Sequence, residues 1–111
     1  MIRKLSFAAI CAIAMLQASS SKAQQATEVQ VTYSKGQFQP GELRAPADKP
    51  IIFRVKNLDA KDMEFESKSL RVEKVVAANS EGVINVRALK PGRYEFYDDF
   101  NEKARGALIV Q

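Results

Sequence analysis

Apolar residues alternate with polar ones along several short stretches: Val29, Val31 and Tyr33; Ile51, Phe53 and Val55; Ile84, Val86 and Ala88; Tyr94 and Phe96. A period of two places every second side chain on one face, as in a half-buried β-strand. The apolar phase is rich in β-branched and aromatic residues, which suit a pleated surface. Beyond residue 23 no segment keeps an i, i+3, i+4, i+7 apolar spacing for more than a turn or two. The pattern therefore predicts an all-β domain. Pro40-Gly41 and Pro91-Gly92 read as type II turns, because proline fixes φ at the first central position and glycine accepts a positive φ at the second. Asn79-Ser80-Glu81-Gly82 reads as a further turn, and residues 57–63 as a polar loop after a strand over 50–56. About seven short strands at this spacing predict a Greek-key β-sandwich.

The amino terminus obeys a different rule. Arg3 and Lys4 precede an apolar stretch over residues 5–16, and small and polar residues follow as far as Ser21-Lys22-Ala23. This is the layout of a secretory signal peptide over residues 1–23, cut before Gln24. Its apolar stretch is too short to span a bilayer as a helix. Cys11 follows Ile10, where a lipoprotein signal needs a small residue, so it is expected to leave with the leader. The expectation is a periplasmic protein, with no transmembrane segment in the mature chain and a single domain over residues 24–111 that is large enough for one modest core.

Removing the leader changes the charge. It holds three of the 17 basic residues and none of the 13 acidic ones, so the precursor's +4 falls to +1. Nucleic-acid binding loses its electrostatic basis. The chain has no histidine, and its one cysteine is Cys11. That excludes from the mature domain a thiolate nucleophile, an imidazole base, a Ser-His-Asp triad and histidine-ligated zinc or copper. The expectation is a protein that is not an enzyme.

The remaining chemistry is carboxylate chemistry, concentrated in two segments. In Asp62-Met63-Glu64-Phe65-Glu66, alternation sends Phe65 into the core and points Glu64 and Glu66 together to the other face. In Tyr97-Asp98-Asp99-Phe100-Asn101-Glu102, a strand end passes into a loop, which holds ligands firmly yet leaves them accessible. The candidate metal set is Met63, Glu64, Glu66, Asp98, Asp99 and Glu102. Oxygen donors suit ferric iron, Mn²⁺ or Ca²⁺, and the Met63 thioether suits Cu(I). Plainer roles stand beside these. The aspartates fit a solvated turn, and Glu64 and Glu66 fit surface pairs with Lys61, Lys68 or Arg71. Met63 fits core filling. Tyr94, Phe96 and Phe100 are expected in the core, Tyr97 at the loop mouth, and Lys90, Arg93, Lys103 and Arg105 on a solvated basic face.

The stretches FQPGELRAPADKPIIFRVKN, MEFES and LKPGRYEFYDDF, with the closing GALIV, resemble the cupredoxin-like domains of bacterial periplasmic iron-uptake proteins, the EfeO-type family. The resemblance covers most of residues 24–111. It implies a cupredoxin-like sandwich in which one copper-ligating histidine would begin the segment seen here as Met63-Glu64-Phe65-Glu66. The ligating cysteine would fall on Asp98, and the other ligands before Gly106. It also implies a metal-handling accessory protein, with an iron or copper ion as cofactor and an inner-membrane iron permease or another iron-uptake protein as partner. The type 1 copper ligands are missing, so a metal-free interaction module of the cell envelope is the alternative. A two-fold homodimer that brings two acidic loops together is open as well.

Overall fold

The structure is a computed structural model that describes residues 25–111; the expected signal peptide, with Cys11, lies outside the described residues. Among the described residues, nine strands form two sheets: β1 (Thr27–Ser34), β2 (Gln37–Gln39), β3 (Glu42–Ala45), β4 (Ile51–Asn57), β5 (Met63–Ser67), β6 (Val72–Val76), β7 (Ser80–Val86), β8 (Gly92–Asp98) and β9 (Asn101–Val110). One sheet runs β2-β1-β4-β7 and the other β3-β9-β8-β5-β6. Among the described residues, only β1–β4 and β3–β9 pair in parallel. The predicted all-β sandwich is the observed one.

Nine strands stand in place of the expected seven because β2 and β3, three and four residues long, are too short to display a period, and between them Pro40-Gly41 does not close a hairpin. It separates β2, which stays with β1, from β3, which crosses to β9 in the opposite sheet. Neither Gly41 nor Gly92 has a positive φ, so neither Pro-Gly pair forms a type II turn. The positive-φ pair lies instead at Lys35 (54°) and Gly36 (69°), the two-residue connection between β1 and β2. That geometry matches the right-handed twist of the strands it joins. Asp59 fixes the turn by accepting hydrogen bonds from the backbone N–H groups of Lys35 (2.6 Å) and Gly36 (3.0 Å). The expected turn over residues 79–82 is shorter than predicted, since β7 begins at Ser80 and Gly82 lies within it.

Phe38, Phe53, Phe65 and Phe96 meet at the centre of the sandwich, with Phe65 and Phe96 rings 4.9 Å apart and Phe38 and Phe96 rings 5.0 Å apart. Gly106, opposite Phe96 on β9, lets the aromatic ring lie against the backbone. Two expected core positions fail. Alternation ends at Val86, leaving Ala88 exposed, and Phe100 is 58% exposed because it sits on the two-residue link between β8 and β9.

Candidate metal centre

Strand β5 lies between β8 and β6, and its alternation sorts the first acidic segment. Met63, Phe65 and Ser67 point into the sandwich, while Glu64 and Glu66 are half-buried on the outer face. Asp99 follows β8, and its N–H donates to the Glu64 carbonyl at 2.9 Å, which brings the loop alongside β5. As a result the carboxylates of Glu64, Glu66 and Asp99 each offer an oxygen within 4.8 Å of the others. Glu66 also stands directly opposite Glu73 on β6 and Tyr97 on β8. Among the described residues, none of the five ion pairs uses Glu64, Glu66, Glu73 or Asp99. The Glu64 carboxyl is pushed up to about 7, first by desolvation, then by its hydrogen bond with Asp99, and further by the charges of Glu73, Asp99 and Glu66. Desolvation likewise raises the neighbouring Tyr97 phenol, with the Glu66 carboxylate adding to it.

Half of the expected ligand set is therefore placed elsewhere. Met63 is fully buried in the core, on the opposite side of β5 from Glu64 and Glu66. Glu102 is exposed on β9 and lines an open groove of about 550 Å³ with Lys68, Tyr97 and Arg105, apart from the three converging carboxylates. Asp98 is only 2% exposed, and both of its oxygens are engaged. Oδ2 accepts from the Tyr33 hydroxyl at 2.6 Å, and Oδ1 accepts from the N–H groups of Glu64 and Phe100, each at 2.9 Å. Asp98 thus has no oxygen turned to an ion. It ties β1, β5 and the β8–β9 link together, and through the Glu64 backbone it positions the carboxylates above.

Two further residues shape this end of the sandwich without having been singled out in the sequence. Tyr33 is the partner that holds Asp98, and desolvation followed by its bond to that carboxylate pushes the phenol up to about 12. The available signal was a tyrosine on a core-facing phase, whose hydroxyl needs a partner when buried. Asn57 is fully buried at the end of β4. Its amide donates to the carbonyls of Lys61 (2.8 Å), Val76 and Ala77 (both 3.2 Å) and accepts from the Asp59 N–H (2.9 Å). It thereby fixes the loop over residues 58–62, which forms one wall of a cleft of about 580 Å³ with Tyr33, Lys35 and Phe100.

A family model described as a cupredoxin-like domain matches residues 6–110. The uncharacterized protein RP394 of Rickettsia prowazekii (strain Madrid E) is 36% identical over 84 residues, which cover 75% of this chain and 67% of that protein. Among solved structures, the metal binding domain of the Cu(I) exporting P-type ATPase CopA of Streptococcus pneumoniae D39, with Cu(I), has a TM-score of 0.67 at 14% identity over 79% of this chain and 97% of its own. Auracyanin A, a blue copper protein of Chloroflexus aurantiacus, has a TM-score of 0.66 at 13% identity over 78% of this chain and 100% of its own. At such identities the structural likeness is one of fold.

Proposed function

The chain belongs to the cupredoxin-like domain family, and from that membership we propose that it is an exported metal-binding accessory protein. Its ion lies on the outer face of the five-stranded sheet, between Glu64, Glu66 and Asp99, and it serves iron or copper handling beside an inner-membrane permease. The type 1 copper centre of the fold does not fit these residues. That centre needs a thiolate and imidazoles, whereas the chain has no histidine and only Cys11. The position that the resemblance assigns to the cysteine is held by Asp98, whose oxygens are already engaged.

The observation that carries the reading is the convergence of three carboxylates within 4.8 Å, without a basic partner among the described ion pairs. Like charges held this close repel, and the Glu64 carboxyl is raised first by desolvation, then by its bond with Asp99 and by that repulsion. A cation relieves it. All three donors are hard oxygens, which favour Fe³⁺, Mn²⁺ or Cu²⁺ over Cu(I).

The test is isothermal titration of the full chain with chelated Fe³⁺, Cu²⁺ and Mn²⁺. One saturable site is expected, weakened about tenfold or more in Glu66→Gln and in Asp99→Asn and unchanged in Glu102→Gln. No uptake by the wild type would discard the metal reading in favour of a metal-free interaction module. One observation favours that second reading: Phe100 and Leu58, 58% and 48% exposed, stand on the loops at one end of the sandwich. They are apolar groups that a protein partner would cover.

A further inference from the structure

The outer face of the five-stranded sheet carries four residues in directly opposed register: Arg105 on β9, Tyr97 on β8, Glu66 on β5 and Glu73 on β6. Across the strands the row reads cation, phenol, carboxylate, carboxylate. The Arg105 guanidinium sits 5.0 Å from the centre of the Tyr97 ring, and two carboxylates directly opposite one another on a sheet are destabilising. Among the described residues, neither Arg105 nor either glutamate takes part in an ion pair. The groove beside Arg105 is of mixed charge, lined by Lys68 and Arg93 and by Glu95 and Glu102, while Glu64 and Asp99 cluster with Glu66. The row itself runs from positive at β9 to negative at β5 and β6.

A two-fold axis lying in the plane of contact, parallel to the strands and between β8 and β5, turns this row onto itself in reverse. Arg105 of one copy then falls opposite Glu73 of the second copy, and Tyr97 opposite Glu66, and the same contacts recur on the other side of the axis. We infer that this face docks a second copy of the chain, with Arg105–Glu73 and Tyr97–Glu66 as its reciprocal contacts. Charge complementarity to itself is what selects the occupant, since a uniformly basic or acidic partner would meet repulsion on half of the face.

The four strands that overlap about this axis, about 4.8 Å apart and five residues long, offer roughly 300 Å² per copy, under half of a standard interface. The association is therefore weak and sensitive to salt. Glu64 and Asp99 lie near the axis and face their own kind, so a cation held between them favours the pair. Only this cation dependence rests on the metal reading above.

The test is analytical ultracentrifugation of the full chain from micromolar to millimolar concentration, at low and high salt, with and without Mn²⁺. Wild type is expected to dimerise at low salt and to dissociate at high salt. Arg105→Glu and Glu73→Arg are each expected to be monomeric, and their equimolar mixture should associate again, because the exchanged charges meet as opposites in the mixed pair. A wild type that stays monomeric at millimolar concentration in every condition would hand the face to a foreign partner and overturn the inference. Association unmoved by either single exchange, or not restored on mixing, would overturn it too. Cation uptake measured on the same samples keeps the two readings apart, since a monomer that takes up Mn²⁺ sinks the dimer alone.

Discussion

Asp98 is an acidic residue inside a sandwich, and it is kept there by three donors instead of a basic partner. Such a group is tolerated because every oxygen is satisfied; removing it strands the donors. Asp98→Ala leaves the Tyr33 hydroxyl and two backbone N–H groups unpaired, and a loss of about 3 kcal/mol in denaturant unfolding is expected. Asp98→Asn keeps one oxygen for the two N–H groups and lets the Tyr33 hydroxyl turn to accept, so its expected cost is about 1 kcal/mol. The same pair predicts a titration. The Tyr33 phenol, at about 12 in the folded protein, lies above its ordinary 10.0. The stability that it contributes is full below 10.0 and fades as pH rises through about 12. Absorbance of the tyrosinate should show this late phase in wild type and an earlier one in Asp98→Asn. Equal phases and equal stability in the two proteins would refute the role given to the bond.

At the scale of elements, the ladder between β8 and β9 includes one contact that no larger residue at position 106 permits. A Cβ added at Gly106 would lie 2.5 and 2.6 Å from two atoms of the Phe96 ring and 3.1 Å from the Gly41 carbonyl. The ring has nowhere to retreat, being packed against Phe38, Phe53 and Phe65. Gly106→Ala should therefore cost about 2 to 3 kcal/mol, with part of it recovered in the double variant that adds Phe96→Leu. Thermal unfolding of the four proteins measures the coupling. Period-two alternation made β1, β4, β7 and β8 legible, because each has one face on the core. It was silent on β2 and β3, which are three and four residues long, too short to display a period. It was also silent on β6, an edge strand with only Val76 fully buried. The same rule bears on the site. Counting by two from Phe65 places Met63 inside, and counting from Phe96 places Asp98 inside, the faces on which the structure holds both. What the sequence did not contain was the register of β5 against β8, which pairs Glu66 with Tyr97 and brings Asp99 beside Glu64.

For the molecule as a whole, the acidic cluster ties metal, protons and stability into one linkage. With no ion present, Glu64 titrates near 7 in the folded chain against an ordinary 4.5. A carboxyl raised in this way contributes stability that is full below 4.5 and is lost as pH rises through about 7, when the proton that separates it from Asp99, Glu66 and Glu73 departs. The metal-free protein should accordingly unfold at a lower temperature at pH 8 than at pH 5, and Glu64→Gln should flatten that dependence. A bound cation inverts the balance, because it takes the place of the proton and favours all three ionised carboxylates. Between pH 4.5 and 7, ion binding should then release up to one proton for each ion bound by Glu64, and affinity should fall as the solution is acidified. Calorimetric titrations in two buffers of unlike ionisation enthalpy count that proton directly. A count of zero in wild type, or the same count in Glu64→Gln, would show that the ion is held elsewhere, whereas a proton lost with the Glu64 side chain would place the ion on the outer face of the sheet.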